Sequence, residues 1–341
     1  MRIVDDLTSW NADWSGLRVA VLGLGVTGFS VADTLIELGC DVLVVAAAAE
    51  DNPRNLLAVI GGGFVDHSDE TAVPTELVDF DPELVIVSPG FRVGHPIVAW
   101  ALDRDAPLWG DIELAWRLRD KVTPAAEWLL ISGTQRRDTT AEITTHLLEA
   151  AGLRVASVGA DGIPALDAVR YPAGFDVLVV TVSGAQAHWL NHTPNGSIVP
   201  WASVCMNALD DTSGWHGTAR EYRDDLGRVY TNTKIAAIYN RADSATMRMV
   251  ENAEVTEGAR AVGFGLDAPG PSDFGIVDGI LCDRAFLEER FTTALEISTR
   301  DELTVVGLGE PDALNAVLAA AALVRSLDVD AGIVRGALLT L

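Results

Sequence analysis

Basic residues, cysteines and long apolar segments are all scarce in this chain of 341 residues. Lys and Arg number 24 against 49 Asp and Glu, so the formal net charge is −25. Without a basic stripe, a protein surface cannot release counterions from a phosphate backbone, and we therefore expect no nucleic-acid partner. The same acidity disfavours adhesion to an anionic membrane. An excess of acidic residues of this kind most often keeps a protein soluble.

The three cysteines, Cys40, Cys205 and Cys282, lie far apart in or beside apolar runs. This pattern predicts buried thiols of a reduced compartment, with no disulfide framework and no CxxC metal pair. The longest apolar run, Ala316–Val324, is too short to span a bilayer. The N-terminus carries acid early and has no basic flank before an apolar stretch, so it does not resemble a signal peptide. We expect a cytoplasmic protein.

What the chain does have is 49% apolar residues, which is typical of a globular protein and excludes a disordered one. Its length predicts about two domains, each large enough for a core. Apolar strand-like runs alternate with helical patterns throughout, which predicts the α/β fold class with parallel sheets covered by helices. The predicted strands are Leu17–Leu22, Asp41–Val45, Leu84–Val87, Trp128–Ile131, Val177–Val182, Ser203–Met206, Ile235–Tyr239 and Arg260–Gly263. Helices are predicted at Asp312–Ser326 and Asp330–Leu339.

A glycine-rich loop, Gly23-x-Gly25-x-x-Gly28, lies between the first strand and a helix. Its glycines permit a tight turn, and a helix N-terminus offers free N–H groups to an anion. A dinucleotide site also needs an acidic residue at the end of the second strand, but four alanines, Ala46–Ala49, come before the first acid, Glu50. The NAD interpretation is therefore disfavoured. A turn used only for packing and a site for another ligand both remain open.

Further motifs follow in a fixed order. Ser88-Pro89-Gly90 follows a strand, Gly110–Leu114 reads GDIEL, and Gly133-Thr134 and Thr139-Thr140 open the second domain. Taken together, they resemble the Mur ligases of peptidoglycan synthesis over essentially the whole chain, most closely the members that add D-glutamate. The order of these motifs is far more specific than any one of them.

The resemblance implies a Rossmann-like UDP-binding domain at 1–121 and a P-loop-type central α/β domain at 122–341. It implies UDP-N-acetylmuramoyl-L-alanine or UDP as the ligand of the first domain. The substrate-binding residues that it implies are Gly25, Val26, Thr27, Gly28, Ser88, Pro89 and Gly90.

The chemistry of this family makes demands that the second domain does not meet. Such ligases activate a carboxylate with ATP, form an acyl phosphate and trap it with an amine, which needs a phosphate cradle and magnesium ligands. The family loop reads GTNGKTTT, whereas this chain has Arg136, Arg137 and Asp138 in place of its second glycine, its lysine and its first threonine. Arg cannot replace a compact ammonium among phosphates, and Asp repels a triphosphate. We expect loss of productive ATP binding.

Three further positions match residues that carry catalysis in the family. Thr181 stands where the family has a glutamate that binds magnesium. Thr212 stands where it has a histidine, and Leu226 where it has a modified lysine. Together these replacements indicate a degenerate nucleotide site, and we expect no catalytic residue, no metal and no cofactor. The residues of that degenerate site are Gly133, Thr134, Arg136, Arg137, Asp138, Thr139, Thr140, Asn240 and Asn315.

The family also has a third domain, and this sequence ends where that domain would begin. Core strands and turn glycines are kept while polar ligand positions are replaced, which indicates a fold retained without its chemistry. Three hypotheses follow: a non-catalytic UDP-sugar-binding protein, a scaffold that is a natural remnant or a deliberately altered two-domain form, and an active ligase.

We expect no ligand-binding role for several histidines and tryptophans. His67, His95 and His146 are predicted to be isolated, and the pair His188 and His192 is disfavoured as a metal site. The three tryptophans of the first domain, Trp100, Trp109 and Trp116, are predicted to pack its core.

Overall fold

The computed structural model describes residues 4–47, 51–68, 71–190, 196–210 and 214–341. The described strands are β1 (Arg18–Leu22), β2 (Asp41–Ala46), β3 (Gly63–Asp66), β4 (Leu84–Val87), β5 (Leu108–Gly110), β6 (Glu127–Ser132), β7 (Val155–Gly159), β8 (Val177–Thr181), β9 (Ala202–Cys205), β10 (Ala236–Asn240), β11 (Arg260–Phe264), β12 (Asp273–Val277), β13 (Ile280–Asp283) and β14 (Leu295–Thr299). The described helices are α1 (Val26–Glu37), α2 (Asp51–Val59), α3 (Thr75–Phe80), α4 (Pro96–Asp103), α5 (Asp111–Arg117), α6 (Arg137–Ala150), α7 (Ala165–Arg170), α8 (Gly184–His188), α9 (Ala219–Leu226), α10 (Ser244–Glu251), α11 (Arg300–Val305), α12 (Pro311–Arg325) and α13 (Ala331–Leu338).

The chain divides into two compact units. Unit 1 comprises Met1–Ala125, Pro164–Gly174 and His188–Ile198, and unit 2 comprises Ala126–Ile163, Phe175–Ala187 and Val199–Leu341. The α/β class predicted from the sequence is confirmed. The division into domains at residues 121 and 122 stays a prediction, and two short segments beyond that point pack with unit 1.

Unit 1 is built on a five-stranded sheet in the order β3-β2-β1-β4-β5, and all its pairs are parallel. The apolar run Leu84–Val87 forms β4 and is buried throughout, as parallel strands covered on both faces require. Helix α1 ends before Gly39, whose φ of +83° suits a glycine at this position. Trp109 and Trp116 are buried, and Trp100 is partly buried against the apolar cluster around β1 and β4, so the packing role predicted for them is confirmed.

Unit 2 contains a nine-stranded mixed sheet in the order β14-β13-β12-β11-β10-β9-β6-β8-β7. The strands from β7 to β12 in this order are parallel, whereas β12, β13 and β14 pair antiparallel. The antiparallel edge of this sheet was not predicted from the sequence. Asp278 and Gly279 join β12 to β13 with φ of +50° and +81°. Two positive φ angles on an Asp-Gly pair are typical of a two-residue hairpin turn.

The Ala-rich helix predicted near the end of the chain is α12. From Ala316 to Val324 every residue is buried, as expected for a helix that is apolar all round and packs inside the core. The three cysteines are free and buried, as predicted. Among the described residues, none of the helices combines the length and apolar character needed to cross a bilayer.

A buried ion pair ties the start of the chain to α5. Arg117 and Glu113 are fully buried and 2.9 Å apart. The Arg117 guanidinium also donates to the carbonyl oxygens of Asp5 and Leu7 and lies 3.8 Å from the centroid of the Trp109 ring. The Arg117 charge is therefore held by several partners in a dry environment, and Arg117 is the buried cation beside Glu113.

We predict that Arg117→Leu lowers the free energy of unfolding by about 3–5 kcal/mol, because Glu113 then loses its buried cation. The matched control is Arg18→Leu, since Arg18 pairs with Asp81 and Glu83 on an exposed surface. Exposed pairs contribute about 0–1 kcal/mol. Urea denaturation followed by tryptophan fluorescence measures both variants, and equal losses would contradict the prediction.

Glu302 gives the fold a second testable feature. It closes a capping box with Thr299 at the start of α11 and accepts a hydrogen bond of 2.6 Å from Arg335 of α13. The hydrogen bond from Arg335 and those from the Thr299 and Ser298 groups lower the pKa of Glu302 from 4.5 to about 2. A lowered folded-state pKa means that the carboxylate stabilises the fold above its unfolded pKa and that this contribution disappears as the pH falls through the folded pKa.

We therefore predict that Glu302→Gln lowers the melting temperature at pH 7. The difference from the unchanged protein should shrink as the pH falls from about 4.5 towards about 2. Thermal unfolding followed by circular dichroism across this range measures the effect. A difference that stays constant over the whole range would rule out the ionised carboxylate as its source.

Candidate functional site

The carboxyl ends of the unit 1 strands meet at one edge of the sheet. The strand order reverses between β1 and β4, and open parallel sheets bind ligands in the crevice at such a point. Gly23 follows β1 with φ of +102°, and a Cβ built there would lie 3.0 Å from Ser88 Oγ, just after β4. A Cβ on Gly28 would lie 2.2 Å from the carbonyl oxygen of Gly23. Glycine is therefore required at both positions for α1 to begin against the loop.

The N-terminus of α1 opens towards this crevice without a capping side chain. Gly25 is its N-cap and forms no side-chain hydrogen bond, and Val26 is 77% exposed. A Cβ on Gly25 or on Gly90 would meet open space. The predicted substrate-binding residues of the glycine loop and of the Ser88–Gly90 turn thus lie around one edge, where free N–H groups and the helix dipole suit an anion.

Three aromatic rings form a row at the same edge, and we call Phe91, His95 and His67 the aromatic row. The Phe91 and His95 ring centroids are 4.7 Å apart, and those of His95 and His67 are 5.8 Å apart. Phe91 Cε2 lies 3.7 Å from the position of a Cβ on Gly23. The prediction that His67 and His95 are isolated is therefore wrong. Their placement directly after β3 and directly before α4 was the signal that could have linked them.

In unit 2, the predicted phosphate loop lies between β6 and α6. Gly133 has φ of +133°, and a Cβ there would lie 3.0–3.2 Å from atoms of Met206 and Asn207. Arg136 adopts the left-handed conformation with φ of +66°. That conformation costs a residue other than glycine about 1–2 kcal/mol. The arginine therefore stands where the backbone favours glycine.

Hydrogen bonds within unit 2 use the polar groups of this loop. The side-chain amide of Asn207 accepts a hydrogen bond from the N–H of Gln135 at 2.9 Å and donates one to the Gln135 carbonyl at 3.1 Å. The backbone carbonyl of Asn207 accepts a third from the N–H of Thr134 at 3.0 Å. The N–H of Thr139 donates to the Asp138 carboxylate at 2.7 Å. Several N–H groups near the start of α6 are therefore already bound to protein acceptors.

The Arg137 side chain folds back across the loop. It donates to the carbonyl oxygen of Gly133 and forms an ion pair of 3.1 Å with Asp161. The backbone N–H of Asp161 in turn donates to Thr181 Oγ1 at 2.8 Å, and this buried hydroxyl donates to the Val158 carbonyl at 3.2 Å. Arg137, Asp161 and Thr181 thus form one connected group, which we call the Arg137 clasp.

The remaining predicted positions of unit 2 differ in how their polar groups are satisfied. Leu226 is fully buried, and its carbonyl accepts from Ser132 Oγ at 3.1 Å. Asn240 donates to the Met206 carbonyl at 3.1 Å. Asn315 in α12 keeps a buried Oδ1 without a hydrogen-bond partner. Thr212 and His192 lie outside the described residues. Within the described ranges, no group of three or more His, Cys, Asp and Glu side chains is placed to hold a metal ion.

No family model matches the chain. A UDP-N-acetylmuramoylalanine–D-glutamate ligase of Leifsonia xyli subsp. xyli is 53% identical over 97% of this chain and 65% of its own length. Ligases of the same name from Tropheryma whipplei (strain Twist) and Streptomyces avermitilis are 43% and 40% identical, and the chain covers 68% and 67% of them. The chain thus spans about two thirds of the length of these relatives.

Solved structures agree on the fold. A UDP-N-acetylmuramate:L-alanyl-gamma-D-glutamyl-meso-diaminopimelate ligase from Neisseria meningitides matches with a TM-score of 0.58 and 14% identity, covering 96% of this chain and 98% of that one. A murein peptide ligase from Psychrobacter arcticus 273-4 matches with a TM-score of 0.54 and 13% identity, covering 96% of this chain and 68% of that one. At these identities the likeness establishes the fold alone. From the sequence relatives, the chain belongs to the UDP-N-acetylmuramoylalanine–D-glutamate ligase family, within the Mur ligases.

Proposed function

We propose that the chain binds UDP-N-acetylmuramoyl-L-alanine at the carboxyl edge of the unit 1 sheet. We also propose that unit 2 does not support the ATP-dependent addition of D-glutamate for which its relatives are named. The single observation that carries the second half of the proposal is the Arg137 clasp.

The unit 1 edge supports binding of a nucleoside diphosphate sugar. A diphosphate needs several N–H donors and little negative charge nearby. The α1 N-terminus offers such donors beside Gly25 and Gly90, where added side chains would meet open space. Ala46 ends β2 with an apolar side chain, so this strand end brings no carboxylate against the phosphates.

The unit 2 edge supports the absence of a magnesium–ATP site. The guanidinium of Arg137 is already neutralised by Asp161, and Thr181 already uses its hydroxyl as both acceptor and donor. Hard cations prefer carboxylates, and an uncharged hydroxyl or the aliphatic Leu226 gives them little or nothing. The side chains at these positions therefore do not fit a magnesium–ATP complex.

The second candidate function is the ligase activity itself. One observation favours it: identity reaches 53% over 97% of this chain to a protein named as that ligase. Similarity of this degree accommodates altered site residues as well as retained ones, so activity has to be measured directly.

For the first half of the proposal, we predict that UDP-N-acetylmuramoyl-L-alanine at 100 times its Kd stabilises the protein by about 2.7 kcal/mol, seen as a raised melting temperature. Val26→Glu should abolish this shift, because it places a carboxylate at the exposed N-terminus of α1. Val59→Glu is the matched control, since Val59 is 82% exposed at the end of α2. The proposal fails if the unchanged protein shows no shift with this ligand or with UDP.

For the second half, we predict no phosphate release above background when the protein is given ATP, magnesium, UDP-N-acetylmuramoyl-L-alanine and D-glutamate. The Leifsonia xyli ligase serves as the positive control. Titration with a fluorescent ATP analogue and magnesium tests unit 2 directly, and we expect no saturable binding. Turnover above background would establish the second candidate function in place of the proposal.

A further inference from the structure

Arg260 and Arg290 are two cations of unit 2 without carboxylate partners. The chain has 49 Asp and Glu against 24 Lys and Arg, so an arginine is expected to find an acid nearby. Arg137, Arg325 and Arg335 each do so. Within the described ranges of unit 2, by contrast, neither Arg260 nor Arg290 forms an ion pair. Their positive charge is therefore available to a ligand.

The loop between β13 and β14 brings these two arginines to one place. Arg284, directly after β13, donates to the carbonyl oxygen of Arg290 at 2.8 and 3.1 Å and to that of Phe291 at 3.1 Å. These bonds fold the far part of the loop back onto its start. At that start, Nη1 of Arg260 donates to the carbonyl oxygen of Ala285 at 2.9 Å. Both arginines therefore lie against the same short loop.

Each of these two guanidinium groups lies against an aromatic ring. Cζ of Arg260 is 4.9 Å from the ring centroid of Phe286, which packs against the core of unit 2. Cζ of Arg290 is 5.2 Å from the ring centroid of Phe291, which is 70% exposed. Nε of Arg290 is buried, yet the side chain donates no hydrogen bond within the described chain. The aliphatic part of Arg290 is therefore packed, while its charged end has no protein acceptor.

The two positive charges are close enough to repel each other. Burial, and after it the charge of Arg290, lowers the pKa of the Arg260 guanidinium, while Asp283 and Asp328 act in the opposite direction. Asp283 is already bound to Arg325 at 3.0 Å. Arginine keeps its proton at any physiological pH, so the protein cannot relieve the repulsion by deprotonation. An anion bound between the two groups would relieve it.

The pair lies at the edge of the unit 2 sheet opposite the predicted phosphate loop. Arg260 is the first residue of β11, whereas Gly133 follows the last residue of β6, and the strands that connect them are parallel. The pair is therefore separate from the degenerate nucleotide site. Glu288 and Glu289 are exposed on the same loop, and neither forms an ion pair with the arginines in the described structure.

We propose that Arg260 and Arg290 together bind a phosphate dianion, either free or as a monoester whose organic group contacts Phe291. Guanidinium groups match the geometry of phosphate and form charge-assisted hydrogen bonds with its oxygens. Two positive charges balance the dianion, whereas a monocarboxylate leaves one of them uncompensated. The exposed ring of Phe291 beside Arg290 offers an apolar surface to the organic part of a monoester. This site does not depend on the UDP-sugar binding proposed for unit 1.

The test uses the full chain carrying Val26→Glu, so that the N-terminus of α1 in unit 1 contributes no anion binding. Isothermal titration calorimetry with inorganic phosphate should show a Kd raised about tenfold by Arg290→Gln, because charge-assisted hydrogen bonds are lost. The matched control is Arg248→Gln, which removes an equal charge from an exposed position of α10 and should leave the Kd unchanged. Acetate, with one charge, should bind more weakly than phosphate. Equal losses in both variants, or equal affinity for acetate, would overturn the site.

Two further measurements keep the site testable whatever the variants do. In the unchanged protein, the Arg290 side-chain N–H signals in a proton–nitrogen NMR spectrum should shift with phosphate and not with chloride at the same ionic strength. Signals that ignore phosphate refute the proposal. Free Arg290→Gln should melt no lower than the unchanged protein, since a repulsion is removed, and a lower melting temperature would assign Arg290 to the fold instead.

The source of the dianion is settled by comparing phenyl phosphate with inorganic phosphate. Tighter binding of phenyl phosphate that Phe291→Ala removes supports a monoester, and equal binding of the two supports free phosphate. In both cases the affinity should still depend on Arg290. Loss of this site leaves the proposed function of unit 1 untouched, because UDP-sugar binding is measured separately in the chain with Val26.

Discussion

The close approach of backbone to backbone at the carboxyl edges of the two sheets is the constraint on which both candidate sites depend. In unit 1, α1 begins so near the loop after β1 that a Cβ on Gly28 would lie 2.2 Å from the Gly23 carbonyl oxygen. In unit 2, a Cβ on Gly159 would lie 2.1 Å from the carbonyl oxygen of Thr181. Glycine permits both contacts because it has no Cβ. Each contact also sets the position of the backbone groups at the carboxyl edge of its own sheet. The turn after Gly159 carries Asp161 over the end of β8, where it can meet Arg137.

The two edges differ in how their polar groups are satisfied. At the unit 1 edge, the N-cap of α1 provides no side-chain acceptor, and His67 Nε2 has no hydrogen-bond partner. At the unit 2 edge, Asn207 and Asp138 accept from N–H groups of the loop, and Asp161 neutralises Arg137. A site must offer unsatisfied groups to a ligand or exchange internal bonds for new ones. This difference, more than the presence of a motif, separates the two units.

Sequence patterns predicted those parts of the fold that depend on local periodicity. The apolar run Leu84–Val87 coincides with β4, and the buried Ala-rich helix lies within one residue of its predicted bounds. Long-range pairing was harder to predict. Asp161 lies 24 residues from Arg137, and no periodicity indicates that their loops converge. The proximity of His67 and His95 was likewise not predicted, because alternating apolar runs locate strands and do not say which strand ends carry neighbouring side chains.

The replacements in unit 2 also have a stability argument that does not depend on function. The position of Thr181 is fully buried, and its hydroxyl forms two hydrogen bonds with the surrounding backbone. A carboxylate there would be a buried charge, which is strongly unfavourable unless a cation or several donors compensate it. Leu226 occupies a fully buried position as well, where an aliphatic side chain needs no partner. The uncharged side chains of Thr181 and Leu226 therefore suit a buried core without a compensating cation, which is the state that we propose for unit 2.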